Sequence, residues 1–239
     1  MKHLIVIATS LLVFACQQGG VRVVESQSED EKTDNNVAGK SQSSLPVNID
    51  PILEKTGDPT QTPDLGTSAT TKTLTGTFAT ACTFASDQPG SLDEYHQLYW
   101  VFRDDGVAGS IQVIAEGNNC DAGALMVITT LNAYAIGDAI SDFPDAFVSG
   151  FQPVQILVRP ANEDVVAELE DADAYGIKDW KVGVDHDVTS FVQPNGGATT
   201  FNMLKIEPQG RSVQFGAGSS SAQSIERRLL PEIFNRVSN

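Results

Sequence analysis

Between Tyr95 and Arg103 the chain alternates residue by residue. Leu98, Trp100 and Phe102 fall on one side, and Gln97, Tyr99, Val101 and Arg103 on the other. A period of two is the signature of a β-strand. Asp104-Asp105-Gly106 follows, with residue types that tolerate the positive φ of a tight hairpin turn. A strand closed by such a turn commits the chain to antiparallel pairing with whatever comes next.

What comes next repeats the pattern. Strands are expected over Val107 to Glu116, Ala124 to Thr130, Tyr134 to Gly137, Val154 to Arg159 and Ile177 to Val184, with Gly117-Asn118-Asn119 as a second turn. Thr199 to Glu207 and Arg211 to Phe215 should form a hairpin around Pro208-Gln209-Gly210. Upstream, Thr73 to Phe84 reads as a strand placing Leu74, Gly76, Phe78, Thr80 and Cys82 on one face. One helix interrupts the series. Asn162 can cap it, Glu163 and Asp164 suit its positive end, and Val165, Val166, Leu169 and Ala172 make an apolar stripe. A short C-terminal helix is expected over Ile225 to Arg236. Many short antiparallel strands with turns at roughly ten-residue intervals indicate a mainly β domain, a barrel or alternatively a β-sandwich.

That domain is expected to occupy residues 73–239. Residues 16–72 differ in character: Ser, Thr, Gln, Asn and acidic residues dominate, and aromatics are absent. Such a segment buries too little apolar area to offset its ordering entropy, so it reads as a disordered tether with a random-coil reach of about 40 Å. Within it, Leu45 to Leu53 carries scattered aliphatics that could touch the domain.

The first fifteen residues are different again. Met1-Lys2-His3 supplies a positive charge, and an apolar run from Leu4 to Phe14 follows. The run is well short of the roughly 20 residues that a membrane-crossing helix needs, so it reads as a secretion signal over residues 1–15. Val13-Phe14-Ala15-Cys16 resembles the lipobox of bacterial lipoproteins. The resemblance implies that the Cys16 thiolate, a strong nucleophile, accepts a diacylglyceryl group before cleavage on its amino side, with a further acyl chain such as palmitate to follow. Two or more acyl chains, at about 0.8 kcal/mol per buried methylene, make a durable anchor. An ordinary secretion signal is the alternative. Gln17 and Gln18 follow the cysteine, with no Asp to signal inner-membrane retention as in enteric bacteria. The expected location is therefore the cell envelope, at the outer membrane if the host is Gram-negative.

Charge narrows the partners. The chain carries a formal charge of −16, one unit more negative once Lys2 is removed. A polyanion is repelled by nucleic-acid backbones, so nucleic-acid binding is set aside. Of three cysteines, Cys16 is accounted for, leaving Cys82 and Cys120 in an oxidising compartment. A structural disulfide is expected, adding roughly 4 kcal/mol through loop closure. A redox-active or metal-binding pair is the alternative, but the close C-x-x-C spacing is absent.

Leu74-Thr75-Gly76-Thr77-Phe78 resembles the opening strand of lipocalin-like domains, with Phe78 where Trp is usual. More broadly, residues 73–236 are similar to a group of bacterial lipoproteins with lipocalin-like barrels. The shared order runs Gly76-Thr77-Phe78, Cys82, Phe102 to Asp105-Gly106, Cys120, Tyr134 to Gly137, Trp180 to Gly183, Phe215-Gly216, and then Arg227 and Arg228. The resemblance implies an antiparallel eight-stranded barrel.

No nucleophile elbow, phosphate loop or dinucleotide fingerprint is present, so neither a catalytic residue nor a cofactor is expected. Asp185-His186-Asp187 cannot converge on one ion from adjacent positions. Asp138, Asp142 and Asp145 lack the EF-hand spacing, and no metal site is expected. Glu168, Glu170, Asp171 and Asp173 read as the wet face of the helix, and His96 as a packed strand histidine. Two functions remain. One is a structural envelope lipoprotein that meets another envelope protein. The other is a barrel holding a small apolar or amphipathic ligand against Phe78, Trp100, Phe102 and Phe201.

Overall fold

The computed structural model describes residues 47–55, 58, 61–66, 73–84 and 94–238. The expected signal peptide, Cys16 and most of the expected tether lie outside them. The strands are β1 (Gly76–Ala79), β2 (Thr83–Phe84), β3 (Glu94–Phe102), β4 (Val107–Glu116), β5 (Ala124–Ala139) and β6 (Ala146–Pro160). They continue with β7 (His186–Asp187), β8 (Thr200–Ile206), β9 (Ser212–Gly216) and β10 (Leu229–Ser238). Helices are α1 (Asp50–Glu54), α2 (Glu163–Asp171) and α3 (Thr189–Val192).

Pairing is antiparallel throughout, in the order β1-β10-β9-β8-β6-β5-β4-β3. Because β1 also pairs with β3, these eight strands close into a barrel. Closure removes the unpaired edges that an open sheet would present. The sandwich alternative is thereby excluded. The lesser strands β2 and β7 pair with β3 and β6.

Several sequence expectations are corrected. The C-terminal segment is a strand, not a helix: closure needs a strand between β9 and β1, and β10 fills it while burying Phe234. Tertiary pairing there overrides the local spacing. The expected fourth and fifth strands are one, β5, and β6 starts well before Val154. Their register shifts where Asn132 meets Pro153, a bulge through which both strands continue. Ile177 to Val184 is not a strand, and Val182 and Val184 stay exposed. Thr73 to Phe84 breaks after Ala79, where Thr80 N–H bonds the Leu98 carbonyl and Thr80 Oγ1 accepts from Leu98 N–H. Leu74 and Phe78 therefore face inward, while Cys82 turns to the outside of the barrel.

There Cys82 is bonded to Cys120, with Cα atoms 5.8 Å apart. The outer face it joins is apolar: Tyr99, Val101, Ile111, Val113 and Leu131 are buried on it. Part of its cover comes from upstream, where α1 lays Ile52, 0% exposed, against this surface. A Cβ on Gly109 would collide with that isoleucine. Arg103 Nη1 sits 2.6–2.8 Å from the carbonyl oxygens of Ile52, Leu53 and Lys55. The guanidinium thus satisfies the groups that a helix leaves open at its C-terminus.

Candidate functional site

The pairing register decides which side chains enter the barrel. Phe102 and Ala108 face each other inside, so the next inward positions are Trp100 opposite Ser110 and Leu98 opposite Gln112. The same alternation turns Thr130 inward on β5. Thr200 is inward opposite Phe151, and Asn202 opposite Ser149. Ile111 and Val113, by contrast, point out. Along this part of β4 the polar face looks into the barrel and the apolar face looks away from it.

The lower half of the interior is filled. Trp100 stacks on Phe102 with centroids 5.6 Å apart, and lies 5.0 Å from both Phe151 and Phe215. Phe78 meets Phe102 edge-on at 5.9 Å. The base is sealed by polar contacts. The Tyr134 hydroxyl lies 3.0 Å from the Leu74 carbonyl oxygen and 2.6 Å from that of Arg103, donating its proton between them. Arg236 covers the Phe78 ring at 4.7 Å and donates from Nε to the Gly210 carbonyl at 2.6 Å.

Around this aromatic layer the wall changes. Ser110, Gln112 and Thr130 face inward yet remain half-buried, as does Leu98, and so do Thr200 and Asn202 opposite Phe151 and Ser149. In a barrel filled by its own side chains these positions would be closed. Ser149 Oγ, fully buried, bonds Asn202 Oδ1 at 2.6 Å and leaves the Asn202 amide nitrogen as a donor. Gln112 Nε2 lies 3.2 Å from His96 Nδ1. If the amide donates there, Nδ1 is the acceptor and the neutral ring carries its proton on Nε2, 3.7 Å from a Glu94 carboxylate oxygen. Burial holds the His96 pKa below its ordinary value, against the raising effect of Glu94.

The upper end is partly capped. Asn162 Oδ1 accepts from Val165 N–H at 2.9 Å, starting α2 where the sequence places it. Val165, Val166 and Leu169 then pack on Ile114, Met126, Ile128, Ile156 and Val158, together with Trp180 and Val188. Within the cap, Trp180 lies 4.5 Å from His186 and 6.2 Å from Tyr175, centroid to centroid. Trp180 Nε1, His186 Nε2 and the Tyr175 hydroxyl are sealed from solvent and have no hydrogen-bond partner among the described residues. Tyr175 also holds a positive φ of 53°, an unfavourable conformation for a bulky residue.

Of the residues that the sequence put forward for a ligand, Phe78, Trp100 and Phe102 come together in the barrel. Phe201 does not join them. It faces outward beside Gly150, where Pro63 and Leu65 lie close. Phe151, Phe215 and the polar band were not singled out from sequence. Alternation on Val107 to Glu116 separates Ser110 and Gln112 from Ile111 and Val113, but assigns the apolar set to the inside. Asp185, His186 and Asp187 diverge: Asp185 pairs with Arg159, His186 packs against Trp180 with the rings tilted, and Asp187 bonds Thr189 and Gln155. Burial works against the Asp187 charge, but those hydrogen bonds outweigh it and hold its pKa below the ordinary value. Among the described residues no group of three or more His, Cys, Asp or Glu could hold a metal ion.

A scan against protein-family models finds no match to this chain, and a search of curated proteins finds none either.

Proposed function

We propose that this chain is a lipid-anchored protein of the bacterial cell envelope whose barrel binds a small amphipathic molecule. The observation that carries the binding reading is the inverted wall of β4, with Ser110 and Gln112 inside and Ile111 and Val113 outside. Ile111 and Val113 are already buried on the outer face, so a barrel that only had to be stable would gain by apolar side chains on the inner face as well, since polar groups taken from water without partners cost about 1–3 kcal/mol each. Half-buried polar side chains around a closed aromatic layer are what an orienting pocket needs: a few placed hydrogen-bonding groups and an apolar surface. The anchor rests on the lipobox at Val13 to Cys16.

The test is native mass spectrometry of the protein released from its own host's membranes. A reproducible adduct of small-molecule mass, lost on unfolding, is the expected result. Repeated preparations carrying only the lipidated polypeptide would reject ligand binding in favour of a structural or protein-docking role. In parallel, Cys16→Ser should abolish incorporation of labelled palmitate; equal incorporation by wild type and variant would remove the anchor.

A further inference from the structure

We infer that the ligand is a neutral, polyhydroxylated molecule of the saccharide class, an inference that rests on the barrel-binding reading above. The polar band consists of hydroxyls and carboxamides alone: Ser110, Thr130, Thr200, Gln112 and Asn202. None of the five carries a charge. Charged inward groups lie away from the band. Glu94 stands above it beside His96, and Arg236 lies below against Phe78. A carboxylate or phosphate ligand would therefore find no guanidinium or ammonium in the band, inside a chain of net charge −16 that repels anions. A cationic ligand would lack a carboxylate there. A fatty acyl chain would remove five polar side chains from water without replacing their hydrogen bonds.

A sugar meets both surfaces. Its hydroxyls are donors and acceptors at once, as are Ser and Thr hydroxyls and the two ends of a carboxamide. Its C–H face is apolar and suits an aromatic surface. The register sets the two kinds of group side by side. Ser110 is the direct cross-strand partner of Trp100, and Thr200 that of Phe151, a relation that brings Cβ atoms within about 5 Å. Trp100 and Phe151 themselves lie 5.0 Å apart, so the two hydroxyls flank one aromatic surface. Among the described residues, no side chain makes a hydrogen bond to the hydroxyl of Ser110, Thr130 or Thr200.

The experiment titrates the full chain with neutral pentoses, hexoses, N-acetylhexosamines and their disaccharides, and with gluconate and palmitate as contrasts. Binding is read by calorimetry and by tryptophan fluorescence. Saturable binding of a neutral sugar is expected, with no binding of gluconate or palmitate. Gln112→Leu and Thr130→Val, each near its parent in size, should weaken the sugar about tenfold, roughly one hydrogen bond. Thermal melts establish that the variants fold, and the wild-type panel stands without them. Preference for palmitate or gluconate would overturn the saccharide inference while leaving the barrel-binding reading intact. No binding by any sugar, with an adduct still seen by native mass spectrometry, does the same. No binding together with a bare polypeptide mass overturns both. Sugar binding unchanged in both variants would remove the polar band as its site.

Discussion

The side chain of Ile52 occupies the space that a Cβ on Gly109 would need. A residue near the N-terminal end of the described chain is thereby locked to the outside of β4, and Arg103 holds the carbonyls that follow it. Gly109→Ala should displace α1 while leaving the barrel closed. The expected result is faster proteolytic cleavage around Leu53 to Lys55, with the Cys82–Cys120 bond intact. Ile52→Ala should cost about 2 kcal/mol in urea unfolding, the low end for a buried large-to-small change because a short helix can settle into the gap. Unchanged proteolysis in Gly109→Ala would mean that α1 does not depend on this contact.

That contact also shows where sequence reasoning reached and where it stopped. Tyr95 to Arg103 and the hairpin around Pro208-Gln209-Gly210 are legible because alternation and turn chemistry are local. So is α2, whose cap and stripe lie within a dozen residues. The C-terminal strand is not legible, because only the need to close the barrel makes Ile225 to Arg236 extend, and that need is long-range. The polar band fails for a subtler reason. An alternating strand has two faces, and the rule that the apolar one is buried inside misassigns β4, where α1 and the neighbouring outer face cover Ile111 and Val113. Phe201 was misplaced in the same way: its register beside Gly150 puts it outside.

The bond between Cys82 and Cys120 joins the segment after β1 to the turn after β4, on the same outer surface. Free-thiol labelling of the unfolded, unreduced domain should find neither cysteine reactive. The double change to Ala should lower stability by about 2–4 kcal/mol, mainly by loosening the unfolded chain's constraint. Palmitate incorporation by way of the proposed anchor at Cys16 should not change. Two reactive thiols per chain would contradict the bond directly.

Arg236 and Phe78 close the barrel between β10 and β1. The guanidinium lies as a cation over the ring and donates to Gly210. Arg236→Gln keeps a donor but loses the charge, and should cost about 1–2 kcal/mol. Arg236→Lys should fall between the two, because an ammonium lacks the planar fork. A double-mutant cycle with Phe78→Leu isolates the ring contribution, expected at about 0.5–2 kcal/mol. A coupling energy near zero would assign the effect to the other contacts of the guanidinium, the Gly210 carbonyl among them.

Three tyrosines give the fold a defined alkaline limit. Burial raises the pKa of Tyr99, Tyr134 and Tyr175 to about 12 in each case, and Asp121 adds to the effect at Tyr99. In an unfolded chain phenols ionise near pH ~10. Between these values the folded protein retains protons that the unfolded chain releases. Stability from this source is therefore fully present below about pH 10 and is lost as pH rises towards 12. The urea midpoint should be insensitive to pH up to about 10 and then fall steeply, while ultraviolet phenolate absorbance lags in the folded protein and jumps on unfolding. Tyr134→Phe should flatten part of that slope. It should also cost about 1–2 kcal/mol near neutral pH, because the Leu74 and Arg103 carbonyls lose their shared donor. Tyr175→Phe differs in the second respect: its hydroxyl has no partner to lose, so the change should be neutral or stabilising near neutral pH while still flattening the alkaline slope. Equal neutral-pH losses in the two variants would show that the Tyr175 hydroxyl has a bonding partner, an ordered water or a bound molecule inside the cap.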